Sequence, residues 1–62
     1  MMNERYLTYH DLTERLGIGK SSVHRRIADG TLPKPIKIGK LSRFKESELI
    51  EALKKLEARR ET

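Results

Sequence analysis

The chain has 62 residues, enough for one small core, since a domain of this size buries only about 60% of the surface its unfolded form exposes. It has no cysteine, which excludes disulfides and thiolate metal sites, and no apolar run near the ~18 residues of a membrane span or the stretch of a signal peptide, so a soluble, cytoplasmic protein is expected. The formal charge is +5, but eight of the fourteen Lys and Arg residues fall between Lys20 and Lys45 against Asp29 alone, so that window carries +7 and the remainder −2.

Charge this localised is the electrostatic footprint of a surface that faces a polyanion, most often nucleic acid. At 37% charged residues the chain sits near the limit of what folds, yet its apolar residues are spaced periodically, which argues for order. Thr8 is a good N-cap, Asp11 places an acid in the first turn, and Leu7 with Leu12 have the spacing of a hydrophobic staple. A first helix is therefore predicted at about residues 9–16, with Leu12 and Leu16 on one face and Gly17 as its C-terminal glycine. After Ile18, Gly19 takes the N-cap position of a second helix at about residues 20–29, with Val23 and Ile27 turned inward and Gly30 ending it.

Two short helices joined through Gly17-Ile18-Gly19 have the pattern of a helix-turn-helix, here about residues 9–29. With Val23 and Ile27 inward, Lys20, Ser21, Ser22, His24 and Arg25 are left outward, and Arg26 lateral. These are hydrogen-bonding side chains on the half of the helix that a recognition helix points at base edges, and the helix start adds free N–H groups suited to phosphate.

Pro33 and Pro35 then exclude helix and favour a stiff, extended path. Ile36-Lys37-Ile38 and Leu41-Ser42-Arg43-Phe44 alternate apolar and polar residues across Gly39-Lys40, the signal of a short β-hairpin. It is expected to pack Ile36, Ile38 and Phe44 on the helices, leaving a polar face with Lys37 and Arg43 and a tip with Lys40: a basic wing at about residues 36–44. From Glu46 to about residue 58 the spacing of Leu49, Leu53 and Leu56 predicts a third helix, acidic at its start and basic at its end, as the helix dipole favours.

The run Leu16-Gly17-Ile18-Gly19-Lys20-Ser21-Ser22-Val23-His24-Arg25-Arg26-Ile27, followed by Gly30-Thr31-Leu32-Pro33-Lys34-Pro35-Ile36-Lys37-Ile38-Gly39, resembles the AlpA-type phage regulators and related excisionases. These are MerR-like winged helix-turn-helix domains, and the resemblance covers roughly residues 6–53. The proline-rich link into a short basic wing is its more selective part, and Arg43-Phe44 matches the family's Arg-Trp pair at the end of the wing. The chain departs from the pattern at Gly19, where a Ser or Thr cap is usual, and at His24, where Tyr is frequent. The resemblance implies one domain, mainly α with a small β-hairpin, that binds specific DNA sites as an excisionase or as a regulator of a prophage or genomic-island gene. It further implies an integrase or recombinase partner.

Other functions fit less well. His10 and His24 without cysteine do not make a closed zinc site, and no metal or other cofactor is expected. Ser21-Ser22 lacks a companion base at any motif spacing, and Gly17-Ile18-Gly19-Lys20-Ser21 lacks the first glycine of a phosphate loop, so an enzyme is not expected. RNA binding would want exposed aromatics, and the chain has only Tyr6, Tyr9 and Phe44, with both tyrosines expected at the core edge. A protein-interaction module using the third helix would leave the basic wing without purpose. The expected partner is double-stranded DNA, contacted by Lys20, Ser21, Ser22, His24 and Arg25 on the second helix and by Lys34, Lys37, Lys40, Ser42 and Arg43 on the wing and link, with no membrane contact. A monomer in solution that self-associates cooperatively on DNA is also expected, because so few reading side chains need reinforcement.

Overall fold

In the computed structural model, which describes residues 4–60, the first helix, α1 (Tyr9–Leu16), is set by its cap. Thr8 accepts a hydrogen bond from the Asp11 amide at 3.0 Å, and the Asp11 carboxylate accepts one from the Thr8 amide at 2.9 Å, a reciprocal capping box. That amide, with the Thr8 hydroxyl after it, holds the Asp11 carboxyl below the usual carboxylate range. Gly17 closes the helix at φ 67°, the left-handed conformation that suits glycine. Ile18 packs against the core inside the turn, and α2 (Lys20–Ala28) begins at Gly19.

The second helix stops one residue before the expected boundary because Asp29 has other bonds to make. Its carboxylate accepts from the Thr31 amide and from Arg26, both at 2.9 Å, while the Thr31 and Leu32 amides turn back to the Arg26 carbonyl. Gly30, at φ 86°, allows that reversal and drops Leu32 into the core.

Three strands form the sheet where two were expected. The order is β1 (Tyr6–Leu7), β3 (Leu41–Lys45), β2 (Ile36–Ile38), all antiparallel, with β3 in the centre. A two-residue strand is too short to show a period, which is why β1 is silent in the sequence. Tyr6 lies opposite Lys45 and Leu7 opposite Phe44. Ile36 lies opposite Arg43, Lys37 opposite Ser42 and Ile38 opposite Leu41, so Gly39 and Lys40 are the two turn residues. Gly39 has φ 62° and Lys40 no positive φ, the pattern of a II′ turn with glycine first.

This register corrects the expected faces of the wing. Side chains alternate along a strand and directly opposed residues share a face. Leu7, Phe44, Ser42 and Lys37 therefore line the inner face, on the side of the helices, and Tyr6, Lys45, Arg43, Ile36, Leu41 and Ile38 the outer one. Ile36 and Ile38 do not pack beside Phe44: they are 39% and 50% exposed, with Leu41 at 53% and Tyr6 at 49%, while Phe44 is fully buried. Lys37 and Arg43 accordingly lie on opposite faces, and Tyr6 is not at the core edge.

The core is Leu7, Leu12, Val23, Leu32, Phe44 and Leu49, with Tyr9, Leu16, Ile18, Ile27 and Leu53 packed around it. Each of α1, α2, α3 (Glu46–Arg59) and the sheet contributes to it. Lys45, the N-cap of α3, supplies no side-chain cap. Glu4 does that work from outside, its carboxylate accepting from the Ser47 amide at 3.1 Å and the Ser47 hydroxyl at 2.9 Å, which keeps the Glu4 carboxyl below its ordinary range. The Glu46 amide donates to the Arg5 carbonyl, and the Glu46 carboxylate accepts from Arg15 at 2.6 Å, tying α3 to α1. No helix among the described residues is long and apolar enough to cross a membrane.

Candidate nucleic-acid interface

The outward surface of α2 follows from its inward one. Burying Val23 and tucking Ile27 against the core fixes the helix about its axis, and at 100° per residue Ser21 and Arg25 then point most directly away from the core. They stand one turn apart, both exposed. Lys20 and His24, also one turn apart and exposed, lie on the flank beside α1, and Ser22, half-buried, lies on the other flank with Arg26.

On the α1 flank the sequence reading missed a participant. The Tyr9 ring stacks on the His24 imidazole, centroids 4.7 Å apart and planes at 27°, and Lys20 Nζ sits 5.7 Å from the same ring's centroid. The edge contact of Tyr9 with buried Phe44, 5.0 Å at 87°, anchors the ring from below. No spacing rule signals this cluster, because the three aromatic rings come from three elements.

The start of α2 is open. Gly19 has no side chain to cap it, and its first turn contains no acid, so the first-turn amides and the positive end of the helix dipole are not opposed by a local carboxylate.

The wing divides its predicted contact residues. Lys37 and Ser42 are a cross-strand pair on the inner face, and Lys40 is at the turn. Arg43 is half-buried on the outer face, its guanidinium donating to the Ser42 carbonyl at 2.8 Å. Lys34 is exposed on the link between two half-buried prolines. The register thus brings Lys37 and Ser42 together, leaves Lys40 at the tip and sets Arg43 on the opposite face.

Among the described residues Arg15 pairs with Glu46 and Arg26 with Asp29, and the His10 imidazole lies 3.3 Å from the Glu14 carboxylate. Asp29, the only acid of the basic window, is thus committed to Arg26, which the sequence places laterally. Lys20, Arg25, Lys34, Lys37, Lys40 and Arg43 make none of these pairs, so no carboxylate of the described residues neutralises them.

A family model described as a helix-turn-helix domain matches residues 6–57, from β1 to near the end of α3. No curated protein and no solved structure matches the chain.

Proposed function

The chain belongs to the helix-turn-helix domain family, and from that premise we propose that it binds duplex DNA sequence-specifically, with α2 in the major groove and the wing beside it on the backbone. One observation carries the reading: the exposed, hydrogen-bonding surface of α2, the link and the wing hold Lys20, Arg25, Lys34, Lys37 and Lys40 outside every ion pair of the described residues. In this assignment Ser21, Ser22, His24 and Arg25 face base edges, while Lys20, Lys34, Lys37, Lys40 and Ser42 position the domain on phosphates. The open start of α2 would receive a phosphate as well. The proposed activity is binding, with no catalytic step.

Within the family we assign the chain to the MerR-like winged type and to an excisionase role: it binds and bends DNA at the attachment site of an integrated element, in company with its recombinase. Support comes from the link Gly30 to Pro35, the basic wing and the Arg43-Phe44 pair that carry the resemblance. Four base-reading side chains on one short helix supply only part of the specificity a genome requires, so several copies on adjacent sites must add theirs. Among the described residues α3 has 14 residues and commits Leu49 and Leu53 to the core, so that helix does not offer its leucines to a coiled coil. The same commitment disfavours a protein-interaction role through that helix.

Footprinting and gel-shift titration on an attachment region, beside an isolated half-site, test this assignment. A ladder of cooperatively formed, bent complexes is the expected result. A pre-formed dimer that protects one palindrome without bending it would instead identify an AlpA-type transcriptional regulator.

A further inference from the structure

Tyr9 belongs to α1, outside the helix proposed to read DNA, yet it touches two members of the reading surface at once. Its ring lies 4.7 Å from the His24 imidazole, nearly parallel to it, and 5.7 Å from Lys20 Nζ. Tyr9 is the first residue of α1 and lies within the Thr8–Asp11 capping box, whose two hydrogen bonds tie the residues on either side of it together. Its ring is half-buried and held edge-on by Phe44, which has no exposed surface. A continuous chain of ring contacts therefore runs from the buried core through Tyr9 to an exposed imidazole on α2.

Stacking occupies one face of the ring of this exposed histidine and uses neither of its nitrogens. An unsupported histidine or lysine on a helix surface samples several rotamers, and a ligand that needs one of them must freeze the rest on binding. On the Tyr9 platform that restriction is made before DNA arrives. We propose that Tyr9 is a positioning residue for sequence readout, one that presets His24 for a hydrogen bond to a base edge and steers Lys20 to the neighbouring phosphate. The inference rests on the DNA-binding reading above and adds to it a residue that makes no DNA contact of its own.

The test uses the full chain with Tyr9→Phe, Tyr9→Leu, Tyr9→Met, His24→Ala and the Tyr9→Leu/His24→Ala double variant. Phenylalanine keeps the ring. Leucine and methionine remove it while retaining apolar bulk against Phe44, so that loss of folding in one does not end the experiment. Without DNA, proton NMR of the imidazoles should show a ring-current shift for His24 in the wild type and in Tyr9→Phe. That shift should vanish in Tyr9→Leu and Tyr9→Met. With DNA, the readout is the ratio of affinities for a duplex selected from a random library and for random duplex. Tyr9→Leu and His24→Ala should each lower that ratio by roughly five- to tenfold, the worth of one hydrogen bond. Tyr9→Phe should match the wild type, and the double variant should lose no more than either single change, as expected of residues that act as one unit.

Additive losses would overturn the proposal, as would a Tyr9→Phe variant as poor as Tyr9→Leu, or equal losses on selected and random DNA. A wild type with no preference among duplexes would overturn it at its premise. An intact His24 ring-current shift would then show that the DNA reading had failed and not the stack.

Discussion

Arg25 and Lys40 carry the same charge but stand in different places, and their removal is predicted to read differently. Arg25→Ala, at the outward centre of α2, should cost about 1–3 kcal/mol on the preferred site and relax preference at one base position. Lys40→Ala, at the wing tip, should weaken all sequences alike and reduce the dependence of log K on log salt by about one. Arg43→Ala should change either quantity little, because the register turns Arg43 to the outer face of the sheet. Binding assays on selected and random duplexes at several salt concentrations check all three, and equal losses on both duplexes for the Arg25 variant would remove it as a base reader. The α2 residues were legible in the sequence because Val23 and Ile27 fix a helical face and leave the rest by subtraction. Tyr9 was not legible in that role. Its partners come from α2 and β3, and only the packed fold brings them to one ring.

At the scale of elements, the wing shows how one parity decides the fate of a strand. Ile38 and Leu41 flank a two-residue turn and so share a face, and Phe44, three residues beyond Leu41, must take the other. Followed strictly, the sequence contains this result; the expectation that Ile36, Ile38 and Phe44 pack together gave weight to apolarity over parity. Phe44→Ala should therefore cost about 3–5 kcal/mol of stability, as large aromatic truncations in cores do. Ile38→Thr should stay within about 0.5 kcal/mol, as surface changes do. Denaturant melts of the two variants check this contrast, and a large loss for Ile38→Thr would contradict the register. The helix caps were read with more success where they are local. The Thr8–Asp11 box lies within four residues, whereas the capping of α3 by Glu4 spans 43 positions and leaves no local signal.

Those two carboxylates also set a pH dependence. The Thr8 amide holds the Asp11 carboxyl, and the Ser47 amide the Glu4 carboxyl, below their ordinary values. Groups shifted in this direction take up protons less readily in the folded state, so their contribution is fully present above the unfolded value of about 4 and is lost as pH falls through the folded values. Thermal midpoints should be level with respect to these groups from pH 7 to 5 and should fall below about pH 4. NMR titration of both side chains alongside the melts checks the assignment, and a midpoint that rose on acidification would contradict it.

For the whole molecule, what matters is where the charge lies. A net charge of +5 on 62 residues divides into +7 between Lys20 and Lys45 and −2 elsewhere, and the fold gathers much of the first portion on α2, the link and the wing. Asp29 neutralises only Arg26 there. A surface of this kind binds a polyanion by releasing condensed counterions, and the number of phosphates it neutralises is written in the salt dependence. Lys20, Arg25, Lys34, Lys37 and Lys40 are the available cations, with Arg25 shared between base and backbone. The most direct test of the account is therefore the affinity of the full chain for duplex DNA measured as a function of salt concentration. The predicted slope of log K against log salt is about −4, as four to five phosphate contacts require. An affinity that stays nearly constant from low to physiological salt would contradict the assignment of this face as the DNA-binding surface.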